Sequence, residues 1–197
     1  MNNVHKGRFA KVDVRNAGLL PNGWEASLFM ISEEHSHITV LDGTHPTSLG
    51  GKIDPINSYI TKGSVLHETA PWLHDLYTGA FLGLVNSMFG GGYVCGEYLD
   101  PCLTLSRIQG KGARYELHHD SNPVTIILFV TNHVAGGHLK MHLPERPVKV
   151  AAIPGTMLIF EGGIIPHEVM PLENNEVRIT VPMNYYRAGE AQPVWTK

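Results

Sequence analysis

Short runs in which apolar and polar residues alternate cover most of the second half of the chain. Glycine, proline and asparagine separate them. Alternation with a period of two over four to eight residues predicts strands that bury one face. Short strands at this spacing favour an antiparallel sandwich or barrel over a parallel sheet with crossover helices. The predicted strands cover residues 102–107, 115–119, 124–130, 139–143, 148–153, 156–160, 167–170 and 177–186.

The first half of the chain has a mixed pattern. Residues 24–32 and 37–41 are rich in apolar and β-branched residues, and they predict two strands joined by a turn at 33–36. Residues 42–55 contain three glycines and two prolines and predict a long loop. Such a loop either covers a functional site or is a plain solvated connection, and the sequence leaves both alternatives open.

The segment 69–89 carries apolar residues at helical spacing and predicts one long helix. Pro71 suits the first helical turn, and Thr69 suits the N-cap. Three consecutive glycines follow at 90–92 and end the pattern. The apolar stripe predicts a supporting role against the sheet, and we assign no chemistry to it.

The length and composition fit one soluble domain. A chain of 197 residues with 43% hydrophobic and 17% charged residues can bury a substantial core. We expect residues 1–92 to supply strands, loop and helix, and residues 93–197 to form the strand-rich core. With a net charge of -3, the chain lacks the positive electrostatic field that binding to nucleic acids or anionic membranes needs. We therefore expect neither as a partner.

Cysteine usage and the N-terminus indicate the compartment. Cys95 and Cys102 form no C-x-x-C pair, which favours free thiols in a reducing cytoplasm, although a single bridge stays open. Residues 1–6 show no signal pattern, and no apolar run reaches membrane-spanning length. We therefore expect a cytoplasmic protein, either a monomer or a homodimer.

Candidate metal ligands lie in the segment 115–123. His118 and Asp120 are two residues apart, so an extended backbone directs both side chains to one face. His167 supplies a third candidate ligand, and two histidines with one carboxylate are the facial set of non-haem Fe(II) sites. The alternative is a strand-edge histidine beside a turn, because Asp-Ser-Asn-Pro is itself turn chemistry.

Most of the twelve histidines must be structural, so spacing carries more weight than the residue type. His119 points away from His118 and is expected to be structural. The same holds for His133, His138 and His142, although His142 could face the pocket along its strand.

The order of motifs resembles the prolyl-4-hydroxylase-like branch of the Fe(II)/2-oxoglutarate oxygenases over about the last hundred residues. The stretch around Tyr115 is also similar to the oxygen-sensing prolyl hydroxylases. The motifs are His118-x-Asp120, a strand with Thr125, Gly136-Gly137-x-Leu139, Pro154-Gly155 with Phe160, His167-Glu168-Val169 and Arg178.

The resemblance implies a mainly β, α+β fold, in which a double-stranded β-helix or jelly roll is supported by the long helix. It implies His118, Asp120 and His167 as ligands of Fe(II), with 2-oxoglutarate as co-substrate and O2 as oxidant. Arg178 would pair with the far carboxylate of the keto acid, where its planar guanidinium can form two hydrogen bonds.

Other residues are expected to complete the keto-acid pocket. Thr180, two residues beyond Arg178 on the same strand face, could add a hydroxyl donor. Tyr115 and Leu139 could line the pocket or belong to the core. Relatives carry a tyrosine where this chain has Leu128-Phe129-Val130, so one of three threonines would replace its hydroxyl: Thr125, Thr131 or Thr180.

The implied function is hydroxylation of an unactivated C–H bond of a small molecule, with release of succinate and CO2. We expect an amino acid or a natural-product intermediate as substrate, chosen by the first hundred residues. The carboxylate of Asp120 argues against halogenation, for which relatives carry a small residue there. Arg107, Arg114 and Arg187 could reach a substrate carboxylate, although each fits a solvated position.

Alternatives remain at this stage. The similarity around Tyr115 and His167 also fits hydroxylation of a prolyl or other residue in a peptide. A nucleic-acid demethylase is disfavoured by the net charge. A jelly-roll isomerase or a non-catalytic binding module would need a further histidine or glutamate in the first motif, and no glutamate follows His118 and His119 at short range.

Overall fold

Two antiparallel β-sheets face each other in the computed structural model, which describes residues 8–133 and 135–193. The N-terminal stretch 1–6 discussed above lies outside the described residues. The larger sheet has the strand order β1-β10-β7-β12-β5-β3-β2, and β4 also pairs with β12. Its strands are β1 (Phe9–Asp13), β2 (His37–Leu41), β3 (Ile56–Thr61), β4 (Tyr93–Cys95), β5 (Leu105–Gln109), β7 (Val124–Phe129), β10 (Thr156–Phe160) and β12 (Val177–Arg187).

The smaller sheet has four strands in the order β6-β11-β8-β9. From β5 onward the chain passes back and forth between the two sheets, with β6, β8, β9 and β11 on one side and β5, β7, β10 and β12 on the other. This arrangement is a double-stranded β-helix and confirms the predicted fold class. The four strands are β6 (Tyr115–His118), β8 (Leu139–His142), β9 (Pro147–Val150) and β11 (His167–Val169).

The larger sheet is covered on both faces, which explains why its central strands are so apolar. Every residue of β7 is buried, as are those of β10. One core cluster lies between the sheets and includes Phe129, Met141 and Phe160. A second lies under the helices and includes Tyr77 and Phe81. Strands buried on both faces lose the alternation of a half-exposed strand and become continuous apolar runs.

The predicted strand at 24–32 is wrong, and so is the turn at 33–36. These residues form helix α1 (Trp24–His35), which ends at Ser36. Trp24, Leu28 and Ile31 are buried, and their spacing of three to four residues is that of one helix face. The apolar and β-branched content suggested a strand, but the helical spacing of the buried positions decided the structure. The following strand β2 is confirmed.

The predicted long helix at 69–89 is two helices, α3 (Pro71–Thr78) and α4 (Ala80–Phe89), and another helix, α2 (Gly63–Thr69), precedes them. Pro71 begins α3 as predicted. Thr69 does not cap it, because Thr69 belongs to α2 and its hydroxyl donates to the carbonyl of Val65. Gly79 separates α3 from α4 with a non-helical backbone. A short helix, α5 (Leu99–Cys102), follows β4.

The helices pack on the outer face of the larger sheet, so the predicted supporting role holds. Leu73 and Val85 are fully buried there, and the Tyr77 hydroxyl donates to the carbonyl of Asn184 on β12. Within the described ranges, none of the helices has the length and apolar character needed to cross a membrane.

The loop between β2 and β3 is attached to the smaller sheet. Ser48 forms an antiparallel bridge with His118, and the amide of Leu49 donates to the carbonyl of Leu117 at 2.7 Å. The amide of His119 donates back to Thr47 at 3.1 Å. Residues 47–49 therefore run as an additional edge segment beside β6 and bring the loop to the open end of the sandwich.

Candidate metal and keto-acid site

His118, Asp120 and His167 meet at one end of the sandwich. Their potential ligand atoms all lie within 4.8 Å of one another. The antiparallel pairing of β6 with β11 places His167 directly opposite His118, and Asp120 follows just beyond the end of β6. The amide of Asp120 donates to the carbonyl of Gly162 at 2.9 Å. Strand pairing therefore joins ligands that are far apart in the sequence.

A bulge in β6 changes which residues share its inner face. In the pairing of β11 with β6, His167 lies opposite His118 and Val169 lies opposite Tyr115. An advance of two residues along β11 is therefore matched by three residues along β6. In a regular strand, residues three apart point to opposite faces. The extra residue of the bulge lets Tyr115 and His118 both line the same cavity.

Backbone carbonyls orient both imidazole rings. The Nδ1 atom of His118 lies 2.7 Å from the carbonyl oxygen of Glu116, and the Nδ1 atom of His167 lies 2.9 Å from that of Ile165. A carbonyl can only accept, so each Nδ1 carries the hydrogen and each Nε2 keeps its lone pair. These Nε2 atoms lie 3.7 Å and 3.5 Å from Oδ1 of Asp120. Three lone-pair donors thus converge on one point.

Hydrogen bonds fix the second carboxylate oxygen of Asp120. The Thr125 hydroxyl donates to Oδ2 at 2.5 Å, and the Asn122 amide in turn donates to the Thr125 hydroxyl oxygen at 2.9 Å. Oδ1 is left facing the two imidazoles. Thr125 lines the cavity as predicted, but its proton is committed to Asp120, which favours a role in orienting that carboxylate over contact with a keto acid.

The three groups perturb one another strongly because they are crowded and shielded from water. Burial raises the pKa of Asp120, but the neighbouring His167 and His118 outweigh burial and hold that pKa below its usual value. Burial lowers the pKa of His167, and the Asp120 carboxylate more than restores it, so that pKa is raised. Burial and the charge of His167 lower the pKa of His118. A divalent cation would relieve this crowding, because it binds two neutral imidazoles and one ionised carboxylate together.

One cavity of about 230 Å³ connects these ligands to the interior of the sandwich. The structure brings all eight predicted site residues to its walls: Tyr115, His118, Asp120, Thr125, Leu139, His167, Arg178 and Thr180.

Arg178 carries a buried charge without a partner anion. Its side chain lies on β12, 2% exposed, where Nε donates to the carbonyl of Gly137 at 2.8 Å and Nη1 lies 3.5 Å from Oγ1 of Thr180. Nη2 is buried and has no hydrogen-bond partner in the described part of the chain. Burial lowers the pKa of Arg178 to about 10, so the side chain stays charged at neutral pH. A buried guanidinium in this state requires an anionic ligand.

The comparisons with known proteins agree with this geometry. Residues 103–186 match the family model described as the 2OG-Fe(II) oxygenase superfamily. No curated protein matches the chain. The matched residues are less than half of the 197-residue chain, and they include the three candidate ligands and Arg178. The resemblance expected from the sequence motifs is thereby confirmed, and with it the cofactors of the superfamily: Fe(II), 2-oxoglutarate and O2.

Solved structures show the same fold at low identity. A 2OG-Fe(II) family oxidoreductase from Burkholderia pseudomallei aligns with a TM-score of 0.67 and 14% identity, covering 91% of this chain and 90% of its own. A Trichoplax adhaerens prolyl hydroxylase, solved with a hypoxia inducible factor peptide fragment, aligns at 0.65 and 16%, covering 91% and 83%. HygX from Streptomyces hygroscopicus, solved with nickel and 2-oxoglutarate, aligns at 0.65 and 11%, covering 95% and 85%.

The same cavity is bordered by a cluster of three hydroxyl groups, of which the sequence indicated only that of Tyr115. The Tyr115 hydroxyl lies 2.5 Å from Oγ of Ser58 and 2.6 Å from Oγ of Ser106. Ser106 lies directly opposite Thr180 in the pairing of β5 with β12, so the cluster adjoins the Arg178 end of the cavity. Polar residues at inward positions of otherwise apolar strands were the only available signal for Ser58 and Ser106.

The three arginines considered for a substrate carboxylate do not line the cavity. Arg107 forms an ion pair with Glu33 of α1 and stacks on Tyr59, so it braces the helix against the sheet. Arg187 lies over the ring of Tyr93. Arg114 donates to the carbonyl of Gly112.

Thr131 and His133 belong to a structural network. The amide of Ile179 donates to the Thr131 hydroxyl oxygen at 2.9 Å, and Nε2 and Nδ1 of His133 lie 3.0 Å from Thr131 Oγ1 and 2.8 Å from Glu176 Oε2. Thr131 therefore does not replace the missing tyrosine. His142 lies 2.9 Å from the Glu168 carboxylate and is not among the cavity residues.

Gly162 is a further site residue that the sequence did not reveal. A Cβ atom at this position would overlap Oδ2 of Asp120 and approach Oγ1 of Thr125. We predict that Gly162→Ala displaces the Asp120 carboxylate and weakens Fe(II) binding by about tenfold or more, as disturbing a group that orients a ligand does. Anaerobic metal titration measures this.

Gly83→Ala is the matched control for this substitution, because nothing lies within 4 Å of a Cβ there. It lies inside α4, where alanine is a better helix former than glycine. Unchanged iron affinity in Gly162→Ala would show that the close approach of Gly162 to Asp120 does not matter for the site.

Proposed function

We propose that the protein is an Fe(II)- and 2-oxoglutarate-dependent dioxygenase that hydroxylates an unactivated C–H bond of a small molecule. The observation that carries the proposal is the joint occurrence, in one cavity, of the His118, Asp120 and His167 cluster and the unpaired guanidinium of Arg178. The first fits a metal ion with open coordination positions, and the second fits a dicarboxylate anchored at its far end.

The residues fit the cofactors in distinct roles. His118, Asp120 and His167 would hold Fe(II), with Thr125 and the two backbone carbonyls orienting them. When bound, the iron and the keto acid supply the oxidation, in which O2, 2-oxoglutarate and the substrate C–H group yield succinate, CO2 and the alcohol. Asp120 occupies the position that a halogenating site needs for its halide, so the proposed outcome is hydroxylation.

The keto acid would be held along the cavity between these ligands and Arg178. Nη2 of Arg178 donates to the far carboxylate, and the hydroxyl of Thr180 lies beside the guanidinium as a further donor. Leu139 and Ile127 provide apolar walls that exclude water. Of the three candidate threonines, Thr180 is left to replace the tyrosine hydroxyl, because those of Thr125 and Thr131 are engaged elsewhere.

The Tyr115 cluster would supply another donor to the keto acid. Two hydrogen bonds among three hydroxyls use two protons, so one proton stays free. If both serines donate to the phenolic oxygen, the Tyr115 proton is available to a carboxylate, and its two acceptor bonds strengthen it as a donor.

The direct test of the proposed function measures cofactor binding and turnover separately. The protein is reconstituted with Fe(II) without oxygen and titrated with 2-oxoglutarate, after which oxygen and candidate substrates are added and succinate is measured. We expect tight keto-acid binding only in the presence of metal, and substrate-dependent succinate formation. Absence of metal-dependent keto-acid binding would refute the proposal.

A peptide hydroxylase is the second candidate, and the edge of the larger sheet favours it. Among the strands that the structure describes, β2 pairs with β3 alone. It exposes Ile38 and Val40, and its last residues line a cavity beside the metal site. An extended peptide could add to such an edge by backbone hydrogen bonds. Succinate formation stimulated by proline-containing peptides in the same assay would favour this function over the small-molecule one.

We also propose that the protein is located in a reducing cytoplasm. Cys95 and Cys102 are both free thiols, as expected from the sequence. Burial raises the pKa of each thiol, which keeps both in the unreactive protonated form.

A further inference from the structure

We infer that the substrate is a small polar molecule that carries a protonated amino group and binds in a second cavity outside the metal cluster. The inference rests on the proposed function, because it concerns the substrate of the same site. It narrows the substrate class from any small molecule to amines.

The second cavity, called the outer cavity below, has a volume of about 300 Å³ and adjoins the keto-acid cavity, called the inner cavity, at two of the metal ligands. The two cavities share Tyr115, His118, Asp120 and Asn184. A molecule in the second cavity would therefore lie against the metal position without entering the Arg178 end. This volume is at the lower end of the range for small-molecule sites.

Two segments of the first half of the chain form one wall of this outer cavity. They are the end of β2 and the loop after it, represented by Thr39, Asp42, His45 and Thr47. Residues between 115 and 122 supply most of the remaining lining. Because residues 47–49 are hydrogen bonded to β6, the loop is fixed beside the metal cluster. Of the two alternatives for this loop, the structure therefore favours the one in which it covers the site.

Glu116 belongs to the lining of the outer cavity. The Oε2 atom of its carboxylate is buried and has no hydrogen-bond partner among the described residues. A carboxylate oxygen removed from water without a donor costs free energy, and a ligand that supplies a charged N–H group recovers it. The bulge in β6 explains the placement, because the extra residue lies between Tyr115 and His118.

Asp42 adds a second carboxylate to the same lining. Its Oδ1 atom accepts hydrogen bonds from the amide of Thr44 at 3.0 Å and from the Thr44 hydroxyl at 2.6 Å. These bonds hold the side chain in place and lower its pKa, which keeps it ionised at neutral pH. Oδ2 is not used by either bond. Both segments that line the outer cavity thus contribute a carboxylate besides the ligand Asp120.

Lysine and arginine are scarce in the lining of both cavities. Among the described residues that line the outer cavity there is no lysine or arginine, and the inner cavity has Arg178 alone. Arg178 is assigned to the keto acid. Lys52 interacts electrostatically with Asp42, but it does not line the cavity. A substrate carboxylate would therefore meet Glu116 and Asp42 without a cationic side chain in the lining, which disfavours acidic substrates and also free α-amino acids. An amine with hydroxyl groups fits the cavity better.

The test uses protein loaded with Mn(II) and 2-oxoglutarate, because bound Mn(II) broadens the NMR signals of nearby ligands. The probes are matched triplets of an amine, an alcohol and a carboxylate on one skeleton, such as glucosamine, glucose and glucuronate. We expect the amines to be broadened selectively, with an affinity at least about threefold above that of their alcohols, the size of a modest ion-pair contribution. Equal broadening across the triplets, or broadening of none, would overturn the inference.

Two conservative variants locate the binding charge. Glu116→Gln and Asp42→Asn keep the shapes of the side chains, and each is expected to weaken amine binding by about threefold to tenfold. Both should leave the affinity for 2-oxoglutarate unchanged. Glu68→Gln, an exposed position on α2, is the matched control and should change neither. Retained amine preference in both cavity variants would refute the inference.

Binding of Mn(II) and 2-oxoglutarate is measured before the probes are added. If neither binds, the proposed function itself fails. If both bind and the amines show no preference, only the inference about the substrate fails.

Discussion

Replacing Asp120 with alanine is expected to abolish succinate formation and to lower Fe(II) affinity by at least about a hundredfold, since changes to groups that merely orient a ligand already cost ten- to a hundredfold. The variant removes the carboxylate oxygen that lies near both Nε2 atoms, and it leaves the Thr125 hydroxyl without its acceptor. Two imidazoles alone hold Fe(II) weakly. Anaerobic metal titration and a succinate assay measure the two effects separately.

Asp75→Ala is the control for Asp120→Ala. The Asp75 side chain is 82% exposed on α3, far from the cavity residues in sequence, and its loss should alter neither iron content nor turnover. The substitution keeps the backbone hydrogen bond from residue 120 to Gly162, so we expect the variant to fold. Its unfolding transition checks this. Unchanged iron content and turnover in a folded Asp120→Ala protein would remove Asp120 from the ligand set.

Replacing Arg178 with alanine is expected to weaken 2-oxoglutarate binding by about a hundredfold, the order of magnitude for losing charged hydrogen bonds to a buried carboxylate. Arg178→Lys should recover only part of the affinity, because an ammonium cannot reproduce the planar two-point contact. Titration of the Fe(II) protein with the keto acid in the absence of oxygen measures both variants.

Pyruvate provides an internal control for the Arg178 variants. It has the keto and carboxylate groups that chelate a metal, but it lacks the far carboxylate. We expect Arg178→Ala to lower the affinity for 2-oxoglutarate selectively and to leave the weak pyruvate affinity nearly unchanged. Arg146→Ala, an exposed position, should leave both affinities intact. Equal weakening of both keto acids would indicate a disturbed fold and would contradict a role for Arg178 at the far carboxylate.

The second half of the chain could be predicted well because its signals are local. Turn residues and alternation determine where strands such as β8 and β12 begin and end, and the order of motifs identifies the superfamily. The first half was predicted less well. Residues 24–32 have strand-like composition, but they form α1, whose buried face packs against the rest of the core. Gly79 interrupts the predicted long helix, which periodicity alone did not show.

The site residues also divide into those that the sequence indicated and those that it did not. His118, Asp120, His167 and Arg178 could be singled out because their residue types and order are informative. Gly162 and Ser58 could not, since each acts through a contact with a residue distant in the sequence.

By itself, the sequence determined the strand-rich core, the candidate ligands, the candidate arginine for a keto acid and the resemblance to the superfamily. These depend on residue type and short-range spacing. Only the tertiary structure decided that Arg178 is buried without an anion among the described residues, that Thr125 is committed to Asp120, and that Glu116 and Asp42 line one outer cavity. The physical reason is that burial and hydrogen-bond pairing depend on which strands meet and in what register, and a single bulge in β6 is enough to change both.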